Sequence, residues 1–217
     1  MSTYTLVIGN KKYSSWSLRP WLLLVHGGIP FDEIRIALRK PDTADRIREH
    51  SPSGRVPVLR AGKLTIWDSL AIAEFLAERH PNSVRWPADL EVRARARSVS
   101  AEMHSGFSAL RHNMPMHCDA SYPGVGRTPE VLADIARITE MWNDCRARFG
   151  AGGPFLFGTF TIADAMYAPV VFRFRTYGVE LDPVCRAYVD TMVALPAMQR
   201  WLAEATAETD LIAEYEP

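Results

Sequence analysis

The sequence predicts an α+β chain: a small mixed sheet with helices packed on it, followed by an all-helical part. Three observations predict this. Up to about residue 80 the apolar residues switch repeatedly between the strand period of two and the helix period of about 3.6. Beyond residue 87 the texture is helical throughout. The proline-bearing stretch 81–87 separates the two textures and sets the expected domains at 1–81 and 88–217.

The elements follow in order. "YTLVIGN" is a short β-branched run and reads as a strand. "LRPWLLLVHGG" is helical and stops at a glycine pair. Proline has no N–H and is tolerated in a helix's first turn, so Pro20 places the N-cap near Ser17 and leaves Ser14 and Ser15 in the entering loop. "FDEIRIAL" alternates as a second strand, and "TADRIREHSPSG" is a short polar helix or loop. "RVPVLRAGKLTIWD" gives two strands around the turn "RAGK". "SLAIAEFLAERHP" is an amphipathic helix ended by Pro81. The first part therefore reads βαβαββα. In the second part, residues 88–117 read as one long helix and 129–149 as another, closed by Gly150, Gly152, Gly153 and Pro154. "TIADAMYAPVVFRFRTYG" and short helices near 183–193 and 196–208 complete the chain.

Composition narrows the function. Lys+Arg and Asp+Glu balance at 25 each, which gives no steering toward nucleic acid or an anionic membrane. The densest basic run, "RARAR", scatters its charges around a helix and reads as solvated surface. Cys118, Cys145 and Cys185 show no CxxC and no histidine-rich spacing. They read as buried free thiols in a reducing compartment, without a disulfide framework or a metal site. No run approaches a membrane span and the first residues do not read as a signal peptide, so the expected location is cytoplasmic.

Three stretches carry candidate chemistry. "YSSWSLRPWLLL" sets Ser14 and Ser15 before a helix start, where unpaired first-turn N–H groups and about half a positive charge favour an anion. Either serine could equally be a cap. "RVPVL" puts Pro57 beside a strand, either as an edge proline or in a cis bend that frees the Val56 backbone for a peptide-like ligand. "DSLAIAEFL" puts Asp68 and Ser69 at another helix start, as caps or as a carboxylate and hydroxyl for a ligand's charged end.

The order of "YSSWSLRPWLLL", "SPSGRVPVL" and "DSLAIAEFL" resembles the amino-terminal domain of cytosolic glutathione transferases. "FTIADAMYAPVV" is similar to that family's capping-box helix, with Thr161 as the cap and Asp164 returning the bond. The resemblance implies a thioredoxin-like domain followed by an all-helical one, and a homodimer. Within the family, "SSWS" resembles the serine-type, zeta-like bacterial members, whose motif reads SSCSWR. Ser14 and Ser15 match its first two serines, and Trp16 stands where zeta enzymes have cysteine.

The resemblance implies that Ser14, with Ser15 as the alternative, donates to the sulfur of glutathione. Val56, next to Pro57, pairs with the cysteinyl backbone. Asp68 and Ser69 hold the γ-glutamyl end. Lys40, or its neighbour Arg39, meets the glycyl carboxylate. The second substrate, a small electrophile, is expected against Trp16, His104, Phe107 and Arg111, with Met114 nearby. His104, Phe107 and Arg111 fall on one face of the expected long helix, and Arg111 and His104 favour an anionic or carbonyl-bearing substrate. Of Arg173 and Arg175, at spacing two, at most one points into the cleft. The reaction expected is conjugation, with isomerisation or peroxide reduction as alternatives. A non-catalytic ligand-binding protein and a transferase-like interaction module are rival readings. The intact serine motif favours the enzyme over the module.

Overall fold

A computed structural model describes residues 3–215. Strands β1 (Tyr4–Ile8), β2 (Asp32–Arg35), β3 (Val58–Ala61) and β4 (Leu64–Trp67) form one sheet in the order β2-β1-β3-β4. β1 runs parallel to β2 and antiparallel to β3, and β3 runs antiparallel to β4. Helices α1 (Ser15–His26), α2 (Thr43–Arg48) and α3 (Ser69–Arg79) complete a βαβαββα unit. Successive strand side chains point to opposite faces, and β1 shows this. Leu6 and Ile8 enter the main core with α1 and α3, while Val7 packs with Ile36, Ile47 and Val58 on the α2 side.

The second part is helical, as expected: α4 (Leu90–Ser105), α5 (Ser108–Asn113), α6 (Pro129–Phe149), α7 (Ile162–Thr176), α8 (Pro183–Ala194) and α9 (Pro196–Thr206). α7 is buried along nearly its whole length and packs against α1 and α4, so one core spans both parts. Its start is the expected capping box. Thr161 N–H donates to Asp164 Oδ2 at 2.8 Å, and Leu156 N–H to Asp164 Oδ1 at 3.1 Å. Among the described residues no helix is long and apolar enough to cross a membrane, and no cluster of His, Cys, Asp and Glu could hold a metal ion.

Two expectations fail. Helix α1 begins at Ser15, with Ser14 as its N-cap residue, so Pro20 lies inside the helix and not in its first turn. Burial overrides the local rule here: Leu18, Trp21, Leu22 and Leu24 are fully buried, and that packing offsets the missing proline N–H bond. The helix expected over 88–117 breaks into α4 and α5. At the break Phe107 adopts φ 59°, ψ 43°, and a Cβ on Gly106 would lie 2.8 Å from the Glu102 carbonyl oxygen. Phe107 turns into the core at the break, so the helix-face argument that joined it to His104 and Arg111 does not hold.

Candidate active site

The site forms where the loop after β1 meets α1. That loop is unusually buried for its composition: Asn10, Lys11, Lys12, Tyr13 and Ser14 are all inaccessible or nearly so. Asn10 O accepts the Ser14 N–H at 2.8 Å, which closes the turn that delivers Ser14 to the helix start. The Ser14 side chain does not cap α1. Its Oγ–H donates to Ser17 Oγ at 2.7 Å, and Ser17 Oγ in turn accepts the Gly9 N–H at 3.0 Å. Ser17 was missed as a site residue because it reads as an ordinary N-cap. The Ser15 hydroxyl makes no hydrogen bond among the described residues.

Two cavities meet at this helix start. One, of about 690 Å³, is lined by Tyr13, Ser14 and Ser15 on one side and by Arg111, Met116 and Arg173 on the other. Arg39 and Thr43 lie at its edge. The second, of about 530 Å³, is lined by Ser53, Pro57, Trp67, Asp68, Ser69 and His104. Trp16, Arg55 and Val56 belong to both. The cavities are therefore two lobes of one cleft, with the Trp16 indole as the wall between them. The Val56–Pro57 bond is cis, the second of the two geometries that "RVPVL" allowed.

Trp16 is held by cations. The Arg19 guanidinium lies 4.4 Å from its ring centroid and that of Arg111 4.6 Å, while the His104 ring meets its edge at 5.2 Å. Trp16, His104 and Arg111 come together by packing around the indole rather than by helical spacing, with His104 lining the smaller lobe and Arg111 the larger. Lys40 lines neither lobe; its ammonium lies 4.0 Å from Asp210. Arg39, its alternative, does line the larger lobe, and its guanidinium is 3.4 Å from Glu214. Phe107 and Met114 line neither lobe and belong to the core. Arg173 points in and Arg175 is exposed.

Asp68 carries two partners at once. Oδ1 accepts the Leu70 N–H at 2.8 Å and the Ala71 N–H at 3.4 Å, capping α3. Oδ2 lies 3.0 Å from His104 Nε2. Its backbone sits at φ 73°, ψ 132°, a positive-φ conformation that side chains rarely adopt. Burial lowers the His104 pKa and Asp68 opposes the shift. His104 is then neutral, with Nε2–H donating to Asp68 and Nδ1 buried without a partner.

The charge balance of the cleft floor is one-sided. Arg19, Arg111 and Arg173 form no ion pair with a carboxylate among the described residues. Arg19 donates to Met166 O at 3.1 Å and to Ser69 Oγ at 3.4 Å. Arg111 donates to Gly106 O at 3.0 Å and to Met103 O, and Arg173 to Met114 O at 2.8 Å. One terminal nitrogen on each of the three is buried and unpaired. Burial, reinforced for Arg19 and Arg173 by repulsion from Arg111, lowers their pKa values, Arg173 to about 9. Buried arginines read as surface residues in a sequence, so Arg19 and the full cluster were not foreseen. An anion entering the larger lobe meets two guanidinium groups with spare donors.

Comparison with known proteins follows the same outline. A family model described as the glutathione S-transferase N-terminal domain matches residues 13–79, and one described as its C-terminal domain matches residues 119–204. A maleylpyruvate isomerase from Ralstonia is 31% identical over 193 residues, covering 80% of this chain and 86% of that protein. A glutathione transferase homologue from Burkholderia, solved with bound glutathione, superposes with a TM-score of 0.72 at 24% identity, covering 94% of this chain and 99% of that one. A maleylpyruvate isomerase described as a bacterial glutathione S-transferase of the zeta class gives a TM-score of 0.72 at 22% identity, covering 96% and 100%.

Proposed function

The chain belongs to the glutathione S-transferase family, with zeta-class isomerases among its relatives, and from that premise we propose that Ser14 activates the thiol of bound glutathione. The observation that carries this is the Gly9–Ser17–Ser14 chain of hydrogen bonds at the cleft. In the structure the Ser14 hydrogen points to Ser17 Oγ, which also accepts the Gly9 N–H, and in this reading that hydrogen turns to the sulfur when glutathione binds. Ser14 then donates to the sulfur. A free thiol titrates at about 8.5, and holding it as thiolate two units lower needs roughly 2.7 kcal/mol. One hydrogen bond to a charged group supplies about 1.5–3 kcal/mol and a helix N-terminus up to about 1–2 kcal/mol. The thiol proton passes to water, and the thiolate attacks the electrophile.

Glutathione fits the polar groups at hand. Val56 lies between the lobes for the cysteinyl backbone. Asp68 and Ser69 line the smaller lobe for the γ-glutamyl end, and Arg39 and Arg55 offer cations for the glycyl carboxylate. The second substrate occupies the larger lobe against Arg111 and Arg173, whose spare donors favour a small electrophile bearing a carboxylate. That charge preference, together with the isomerases among the relatives, supports a second reading: addition and release of glutathione to isomerise an unsaturated acid. The protein acts as a cytoplasmic homodimer in this reading.

The test is a titration of the bound thiol by its thiolate ultraviolet absorbance. Ser14→Ala should return the midpoint to about 8.5 while glutathione still binds, and turnover of chlorodinitrobenzene should fall at least about tenfold at neutral pH. A midpoint moved by Ser15→Ala instead transfers the role to Ser15. A midpoint moved by neither removes serine activation.

A further inference from the structure

The loop that delivers Ser14 is fastened from the far end of the chain. Glu208, just beyond α9, places its carboxylate against two successive backbone amides: Lys11 N–H donates to Oε1 at 2.8 Å and Lys12 N–H to Oε2 at 3.2 Å. The Glu208 side chain is only 6% exposed, and its nearest cation is Arg35 of β2, at 3.7 Å. Consecutive amides turned onto one anion form a small backbone concavity, here filled by the protein's own carboxylate.

This fixes peptide planes. In a trans peptide the N–H and the preceding C=O point in opposite directions. With the Lys11 N–H turned to Glu208, the Asn10 carbonyl points the other way, where it accepts the Ser14 N–H at 2.8 Å and the Tyr13 N–H at 3.3 Å. The Lys11 carbonyl is likewise turned to Cys118, whose thiol lies 3.7 Å away. The lysine side chains are occupied elsewhere. Lys11 Nζ is held by Glu33 and Glu204, and Lys12 Nζ lies 3.1 Å from Asp119. Among the described residues Glu208 is the one side chain that accepts both amide N–H groups.

We propose that Glu208 is a positioning residue for thiol activation: its carboxylate sets the Asn10–Lys12 peptide planes, and through the Asn10 carbonyl it sets where Ser14 stands. The proposal rests on the reading of Ser14 above. A hydroxyl-to-sulfur bond weakens steeply with misalignment, and a site of this kind works only within about 0.5 Å of its productive geometry. Without Glu208 two buried amides lose their acceptor, and the turn rotates to find water.

The experiment compares Glu208→Ala and Glu208→Gln with the wild type and with a control, Asp210→Asn/Glu214→Gln. The control removes the outer carboxylates that face Arg35, Lys40 and Arg39 but leaves the clamp. Glutathione binding is measured by calorimetry and the bound-thiol midpoint by thiolate absorbance. In Glu208→Ala the midpoint should rise by about one pH unit while the dissociation constant stays within about threefold. Glu208→Gln offers one acceptor and sets its NH2 against a second N–H, so it should lie between, and it decides the matter if the alanine variant fails to fold. The control should titrate like the wild type.

A wild-type midpoint near 8.5 overturns thiol activation altogether. A depressed wild-type midpoint that Glu208→Gln and Glu208→Ala leave in place overturns the role of Glu208 alone. A control that shifts as far as Glu208→Ala overturns it too, by showing that general charge is responsible.

Discussion

Arg173→Met should make the protein more stable and less able to bind an anion. Arg173 is 3% exposed, faces no carboxylate among the described residues, and keeps one terminal nitrogen unpaired. Burial and the nearby Arg111 hold it near 9, well below the ordinary guanidinium range. From the ordinary 12.5 down to about 9, at about 1.4 kcal/mol per tenfold, its charged form is disfavoured by on the order of 5 kcal/mol. Methionine has similar length and no charge. Its substitution orphans the Met114 carbonyl, which now accepts from Arg173 Nε at 2.8 Å, at a cost of about 1–3 kcal/mol. The net gain is about 2–4 kcal/mol, or roughly 4–16 °C in Tm for a chain of this size. The assay is thermal unfolding with and without a small dicarboxylate such as maleate. Maleate should raise the Tm of the wild type and leave that of Arg173→Met unmoved. A variant less stable than the wild type, or one stabilised equally by maleate, refutes the reasoning that this charge is held for a ligand.

Further outcomes follow from the same geometry. Cys118, Cys145 and Cys185 are buried, and burial pushes their thiols up to about 12, 11 and 12. All three should therefore resist a disulfide reagent at pH 8 and react together once the chain is unfolded in denaturant; a single fast thiol in the native state would contradict this. Asp68→Asn should keep the α3 cap and melt within about 0.5 kcal/mol of the wild type, yet bind glutathione at least about tenfold more weakly in calorimetry. Asp68→Ala should lose affinity and also about 1 kcal/mol of stability. Wild-type affinity in the asparagine variant would reduce Asp68 to a cap.

Much of the architecture was legible because local patterns and tertiary demands agree. β1 alternates between two buried faces, Gly27 and Gly28 end α1, and Thr161 and Asp164 form their box in place. Where the two conflicted, packing won. Pro20 signals a helix start, but the core needs α1 one turn earlier. "MHSGFSALRH" keeps helical spacing straight through a break that exists because Phe107 is worth more inside the core. The cleft was legible only by composition. Serine, tryptophan, aspartate and histidine stood out, whereas buried arginines do not differ in sequence from solvated ones. Glu208 carried no signal, since its partners are backbone amides distant along the chain.

The indole of Trp16 is shared property of both lobes, and this binds their occupants thermodynamically. Whatever draws the Arg111 guanidinium toward a guest in the larger lobe loosens its hold on the indole, and with it the stack completed by Arg19 and His104 beside the smaller one. Each guest's affinity then depends on the presence of the other, by one common factor in both directions. Order of addition cannot alter that factor, so a partner that sharpens tripeptide capture is itself captured more sharply by the loaded protein.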